Sequence, residues 1–273
     1  MFRVETIGSF ERPELLPYRT MRRQAEQRQQ GIFVAEGEKV VRRLLESDFE
    51  VVSVLLPERW LRDLEPLLRA RRETVSVFVA EKALLETLTG FSMYQGLLAV
   101  GRVPPQPSLP AVLAASAPPR LLVAVEGLSK AENLGALVRN CVAFGVQALI
   151  IGETSSSPFL RRAVRSSMGT IFKLPVIEPP SLIQQLALLK TEGLRVVAAH
   201  PHTSEKALWQ TNLKEDCAIV FGSEGAGLSP AVLGICHEAV AIPMAPAVDS
   251  LNVGSAAAAF LYEVSRQRKL INP

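Results

Sequence analysis

Five short runs after residue 120, at residues 121–125, 148–151, 196–199, 218–221 and 239–242, are apolar at every position. A strand with one wet face alternates polar and apolar residues, so strands without alternation must be covered on both faces. Stretches with helical spacing separate them, over residues 134–144, 160–167 and 182–192, and a last one runs from 253 to about 268. Residues 256–259 of that last helix are all alanine, a good helix former whose small side chain permits close packing. Doubly covered strands alternating with helices predict a mainly parallel sheet in an α/β domain.

The first half carries the same alternation on a smaller scale. Residues 51–56 and 75–79 read as strands, and apolar residues recur at helical spacing over 38–47 and again from Trp60 to Leu68. Between the halves, Pro104, Pro105, Pro107, Pro110, Pro118 and Pro119 crowd residues 103–119. Proline fixes φ and lacks an N–H, so an extended connector without regular helix is expected there. The expected organisation is an α/β domain over 1–103, a linker over 104–119 and a larger α/β domain over 120–273.

At 273 residues and 48% hydrophobic content the chain can bury a substantial core. No apolar run approaches the roughly 20 residues of a membrane helix, and charges occupy the first twelve residues where a signal peptide would be apolar. No membrane association and residence in the cytoplasm are expected. Cys141, Cys217 and Cys236 are widely spaced in apolar settings, which predicts buried free thiols and no zinc site. The net charge of +3 is too small to indicate a polyanionic partner, so its distribution matters more. Arg19, Arg22, Arg23 and Arg28 form one cluster, and Arg161, Arg162, Arg165 and Lys173 form another in a stretch without acidic residues. Both suit phosphate contact, and both also suit a solvated helix face.

Three segments place small polar residues and glycines where apolar strands stop, which is where α/β domains meet ligands. In the first, Asn133 can cap a helix whose otherwise apolar sequence carries Arg139, a guanidinium that must snorkel to water or meet an anion. The second, from Gly222 to Gly227, is a strand running into a glycine turn around Glu224; its GxxGxG spacing differs from the dinucleotide fingerprint. The third runs from Ile242 and Met244 through two prolines to Ser250, Leu251 and Asn252, where the polar residues can cap the last helix. No GxSxG elbow accompanies Ser250, and His200 and His202 read as loop residues with a structural or solvent role.

In order and spelling, these segments resemble the motifs of the SpoU (TrmH) family of RNA ribose 2′-O-methyltransferases. The likeness rests on Asn133-Leu134-Gly135 with Arg139, on Gly222-Ser223-Glu224-Gly225, and on Ile242-Pro243-Met244 with Ser250-Leu251-Asn252. It extends through residues 161–169, while residues 31–41 resemble the small substrate-binding domain that many ribosomal-RNA members carry. The resemblance implies an α/β trefoil knot, S-adenosylmethionine as cofactor and a homodimer formed through the helix after Asn252. It implies Asn133, Arg139, Glu224, Ser250 and Asn252 as catalytic-site residues, and Ala199, Gly222, Gly227, Ile242, Met244 and Leu251 around the cofactor. Arg139, Arg161, Arg162 and Arg165 are expected to face RNA. No metal is required, because the sulfonium is already an activated methyl donor. Ribosomal RNA is the expected substrate; transfer RNA and a non-catalytic RNA-binding protein are the alternatives, with a nucleotide-dependent oxidoreductase the weakest.

Overall fold

The computed structural model describes residues 1–89, 96–203, 206–246 and 248–269, so Ala247 of the third segment lies outside the described residues. The chain divides into two compact units, one made of Met1–Pro105 with Phe159–Phe172, the other of Gln106–Pro158 with the described residues from Lys173 onward.

The first unit is built on strands β1 (Phe2–Thr6), β2 (Ile32–Glu36), β3 (Val51–Leu56), β4 (Val75–Val79) and β5 (Leu98–Arg102), in the order β1-β4-β3-β5-β2. β1, β4 and β3 run parallel, whereas β5 is antiparallel to both β3 and β2, so the sheet is mixed. Its helices are α1 (Leu16–Arg19), α2 (Gln24–Gln29), α3 (Glu38–Leu45), α4 (Leu61–Arg69) and α5 (Lys82–Thr89). On one face Tyr18, Leu55, Phe78 and Leu98 share a core, and the Tyr18 hydroxyl is satisfied by Ser53 Oγ at 2.8 Å. A buried phenol without that partner would cost about 1–3 kcal/mol.

The second unit begins with α6 (Leu109–Ala115), which corrects the expectation of an extended connector. Pro110 sits in the first turn, where a missing N–H costs nothing, and Ser108 caps that turn by accepting from the Ala111 N–H. Leu109, Val112 and Leu113 are buried in the larger core. Then follow β6 (Leu121–Val125), α7 (Ala131–Ala143), β7 (Ala148–Ile151) and α8 (Arg161–Ser166), the last of these belonging to the first unit. The second unit continues with β8 (Val176–Ile177), α9 (Leu182–Thr191), β9 (Arg195–Ala199), β10 (Cys217–Phe221), α10 (Pro230–Ile235), β11 (Glu238–Val240) and α11 (Val253–Gln267).

Its six strands lie in the order β11-β9-β10-β6-β7-β8 and every pairing is parallel. All residues of β6, β7 and β10 are buried, as their unbroken apolar spelling requires. Parallel pairing puts the C-terminal ends of β11, β9, β10 and β6 side by side, and the three segments follow or adjoin those ends. Along α7 and α11, Gly254 brings the two helices close: a Cβ there would sit 3.2 Å from that of Ala136, and Asn140 Nδ2 donates to the Gly254 carbonyl at 2.6 Å.

In the first unit, the segment Phe159–Phe172 is bound by aromatic and ionic contacts. Phe159 and Phe172 pack with Phe33 and Phe49 at centroid separations of 5.4–6.1 Å. A side chain at Gly101 would collide with the Phe33 ring. The Glu36 carboxylate, 7% exposed, pairs with Arg161, and with Arg165 Nη1 at 2.9 Å.

Candidate active site

At the strand ends of the second unit lies a cavity of about 410 Å³, within the range of small-molecule and cofactor sites. One wall is the turn after β10. Ser223 and Gly227 exchange two backbone hydrogen bonds of 3.0 Å, and Ser223 Oγ accepts from the Ala226 N–H at 3.1 Å. A Cβ at Gly222 would overlap the Gly227 carbonyl, and Gly227 has φ +66, so the turn closes only with glycine at both positions. The turn is fastened from behind: Ser229 donates to Glu126 through its backbone N–H at 2.8 Å and its hydroxyl at 2.7 Å.

The rest of the lining includes Ile242, Met244, Asp249, Ser250 and Leu251, with Val253, Ala256 and Phe260 of α11. All six residues expected around a cofactor, Ala199, Gly222, Gly227, Ile242, Met244 and Leu251, line this one cavity, together with Glu224 and Ser250. Leu251 is 41% exposed, an apolar side chain left uncovered in the cavity lining.

Asn133 and Asn252 lie at the junction of the first and third segments. Asn252 caps α11 by accepting from the Gly254 N–H at 2.9 Å while its Nδ2 donates to Asn133 Oδ1 at 3.1 Å. The expected cap role of Asn133 is corrected: α7 starts at Ala131 after Lys130, and Asn133 stands in the first turn with its side chain given to Asn252. Arg139 is exposed on α7 and is not part of the cavity wall, so its guanidinium snorkels to the surface.

The glycine turn also meets the loop before α7. Lys130 Nζ lies 2.7 Å from Glu224 Oε2, and this hydrogen-bonded pairing raises the lysine pKa above its ordinary value. The three arginines of the second cluster belong to the first unit, where Arg161 is only 15% exposed.

His200, read from sequence as a loop residue, lines the cavity directly after β9. Its backbone N–H donates to the Val240 carbonyl at 3.0 Å, and its buried Nδ1 has no hydrogen-bond partner among the described residues. Its position immediately after Ala199 was the available signal: a polar side chain at the end of an apolar strand in a parallel sheet.

Residues 120–262 match the model of the SpoU rRNA Methylase family. The chain belongs to this family. A Mycobacterium bovis protein called an uncharacterized tRNA/rRNA methyltransferase is 34% identical over 246 residues, 89% of this chain and 84% of the relative. The crystal structure of an RNA 2′-O ribose methyltransferase matches with TM-score 0.78 and 28% identity, over 98% of this chain and all of that one. That of the SpoU methyltransferase AviRb from Streptomyces viridochromogenes, in complex with AdoMet, matches with TM-score 0.81 and 25% identity, over 95% and 99% of the two chains. The protein is an S-adenosylmethionine-dependent RNA methyltransferase of the tRNA/rRNA 2′-O class. Among the described residues no helix is long and apolar enough to cross a membrane.

Proposed function

We propose that this protein methylates a ribose 2′-hydroxyl in ribosomal RNA and acts as a homodimer. The observation that carries the site assignment is convergence: the turn after β10 and the loop before α11 form one cavity, and the Asn133–Asn252 hydrogen bond ties in the first segment. The residues present suit S-adenosylmethionine. The turn exposes backbone at Gly222 and Gly227, His200 brings an unpartnered buried nitrogen, and Ile242 and Leu251 supply apolar surface. When bound, that cofactor supplies an electrophilic methyl group.

The chain's own residues then have three tasks. Gly222, Gly227, Ile242 and Leu251 hold the cofactor and exclude water. Asn133 and Asn252, locked to one another, fix the start of α7 against the start of α11 and so orient the acceptor ribose. Arg139 binds the adjacent phosphate and stabilises the developing alkoxide, the proton passing to phosphate or water, because a guanidinium with pKa above about 12 is a poor base. Of the second arginine cluster, Arg161 and Arg165 both pair with Glu36, and of the two Arg165, at 57% side-chain exposure, is the one open to RNA. Ribosomal RNA is favoured by residues 1–105, which add a folded region ahead of the methylase match at 120–262. The dimer reading is supported by exposed aromatic residues on α11 and in the short helical turn that contacts it, Tyr262 at 53% and Trp209 at 64%.

Incubation with radiolabelled S-adenosylmethionine and RNA from cells lacking the protein, followed by mapping of the modified ribose, tests the reaction. A 2′-O-methyl mark on ribosomal RNA is expected. Label confined to transfer RNA would refute the substrate, and label on a base would refute the chemistry. Arg139→Lys keeps the charge but loses the bidentate fork, and near-wild-type turnover would refute the geometric role of the guanidinium.

A further inference from the structure

The fold ties the ammonium of Lys130 to the cavity wall through Glu224. Lys130 follows the β6 loop, immediately precedes α7, and stands three residues before Asn133. Its side chain is 70% exposed and meets Glu224 Oε2 at 2.7 Å, while Glu224 lines the cavity with its side chain 26% exposed. The partners are distant in sequence, one on the loop after β6 and the other on the turn after β10, strands that are neighbours in the sheet.

An ion pair this exposed contributes little to stability, so a competing anion can displace it at small cost. RNA brings such an anion with every nucleotide. We propose that Lys130 is a second phosphate-binding residue of the active site: in the free protein its ammonium rests on Glu224, and it transfers to the phosphate beside the target ribose when RNA enters. Glu224 acts as a placeholder that keeps the ammonium beside the glycine turn. Lysine suits the exchange because its compact ammonium on a flexible stem can change partner without the planar match a guanidinium needs.

This inference rests on the methyltransferase reading above, and the experiment separates the two. The full chain and its Lys130→Gln and Lys130→Arg variants are titrated with deproteinised total RNA from cells lacking the protein, across a salt series. S-Adenosylmethionine binding is measured in parallel by calorimetry. The Gln variant should bind RNA several-fold more weakly and lose about 0.7–0.9 from the slope of log affinity against log salt, the share of one phosphate contact. Its affinity for S-adenosylmethionine should stay within about twofold, and Lys130→Arg should keep the wild-type slope. Glu224→Gln frees the ammonium and should tighten RNA binding.

An unchanged slope in Lys130→Gln overturns the proposal. So does a loss of cofactor affinity at constant slope, which would mean that Lys130 merely pins the glycine turn. Wild-type protein that binds neither cofactor nor RNA would instead refute the methyltransferase reading itself.

Discussion

Two ion pairs in this molecule use the same chemistry to opposite ends. In the first unit Glu36, 7% exposed, is held between Arg161 and Arg165; at the cavity of the second, Glu224 is held by a lysine that is 70% exposed. Water decides the difference. A buried carboxylate cannot trade its partner for solvent, so the pair fixes structure, whereas an exposed pair can be exchanged for a substrate anion at little cost.

The largest test of that contrast is Glu36→Gln. Removing one charge from a buried pair leaves the other uncompensated and destabilises by about 3–5 kcal/mol. Urea unfolding followed by circular dichroism reads this directly. A loss under about 1 kcal/mol would show that the site is hydrated, and the comparison would collapse. Of the two partners, Arg161→Met should cost more than Arg165→Met, because Arg165 is 57% exposed and can already lean on water.

Burial acts on uncharged groups as well. Burial pushes the Cys217 and Cys236 thiols up to about 11, and that of Cys141 higher still. The sign follows from which state holds the proton longer. Above the unfolded thiol value of about 8.5 the unfolded chain deprotonates first, so stability is fully present below that pH and falls as pH rises toward 11. For Cys217 alone the decline is on the order of 3 kcal/mol. Denaturation midpoints of wild type and Cys217→Ala, compared between pH 8 and 11, should converge as pH rises. Parallel curves would mean that the thiol does not titrate with unfolding.

Much of this was legible in the sequence, and the gaps have physical causes. Runs without polar alternation located β6, β7, β9 and β10 almost to the residue, because burial on both faces leaves no other pattern. The two-residue strand β8 is too short to carry any pattern. The helix Leu109–Ala115 was hidden by prolines, which exclude helix interiors but favour first turns. Glycines and polar residues at strand ends marked the cavity wall, while the expectation of a knot rested only on family resemblance and on no pattern of spacing. Pairing was least legible: nothing in the spacing of Arg161 and Glu36, or of Lys130 and Glu224, announces that they meet.

The smallest expected stability effect is also the one that sharpens the comparison most. Lys130→Met should leave the denaturation midpoint close to that of wild type, because its ammonium is well solvated with or without Glu224. Methyl transfer at low RNA concentration should nevertheless fall, and saturating RNA should recover most of the rate, since the lost contact belongs to substrate binding. Chemical denaturation and initial rates on the same preparation measure both quantities. A destabilisation approaching that of Glu36→Gln would make Lys130 a structural anchor, and the two pairs would then differ in degree only. An unchanged fold with an RNA-dependent defect would show that exposure leaves a charge free to do chemistry, where burial confines it to architecture.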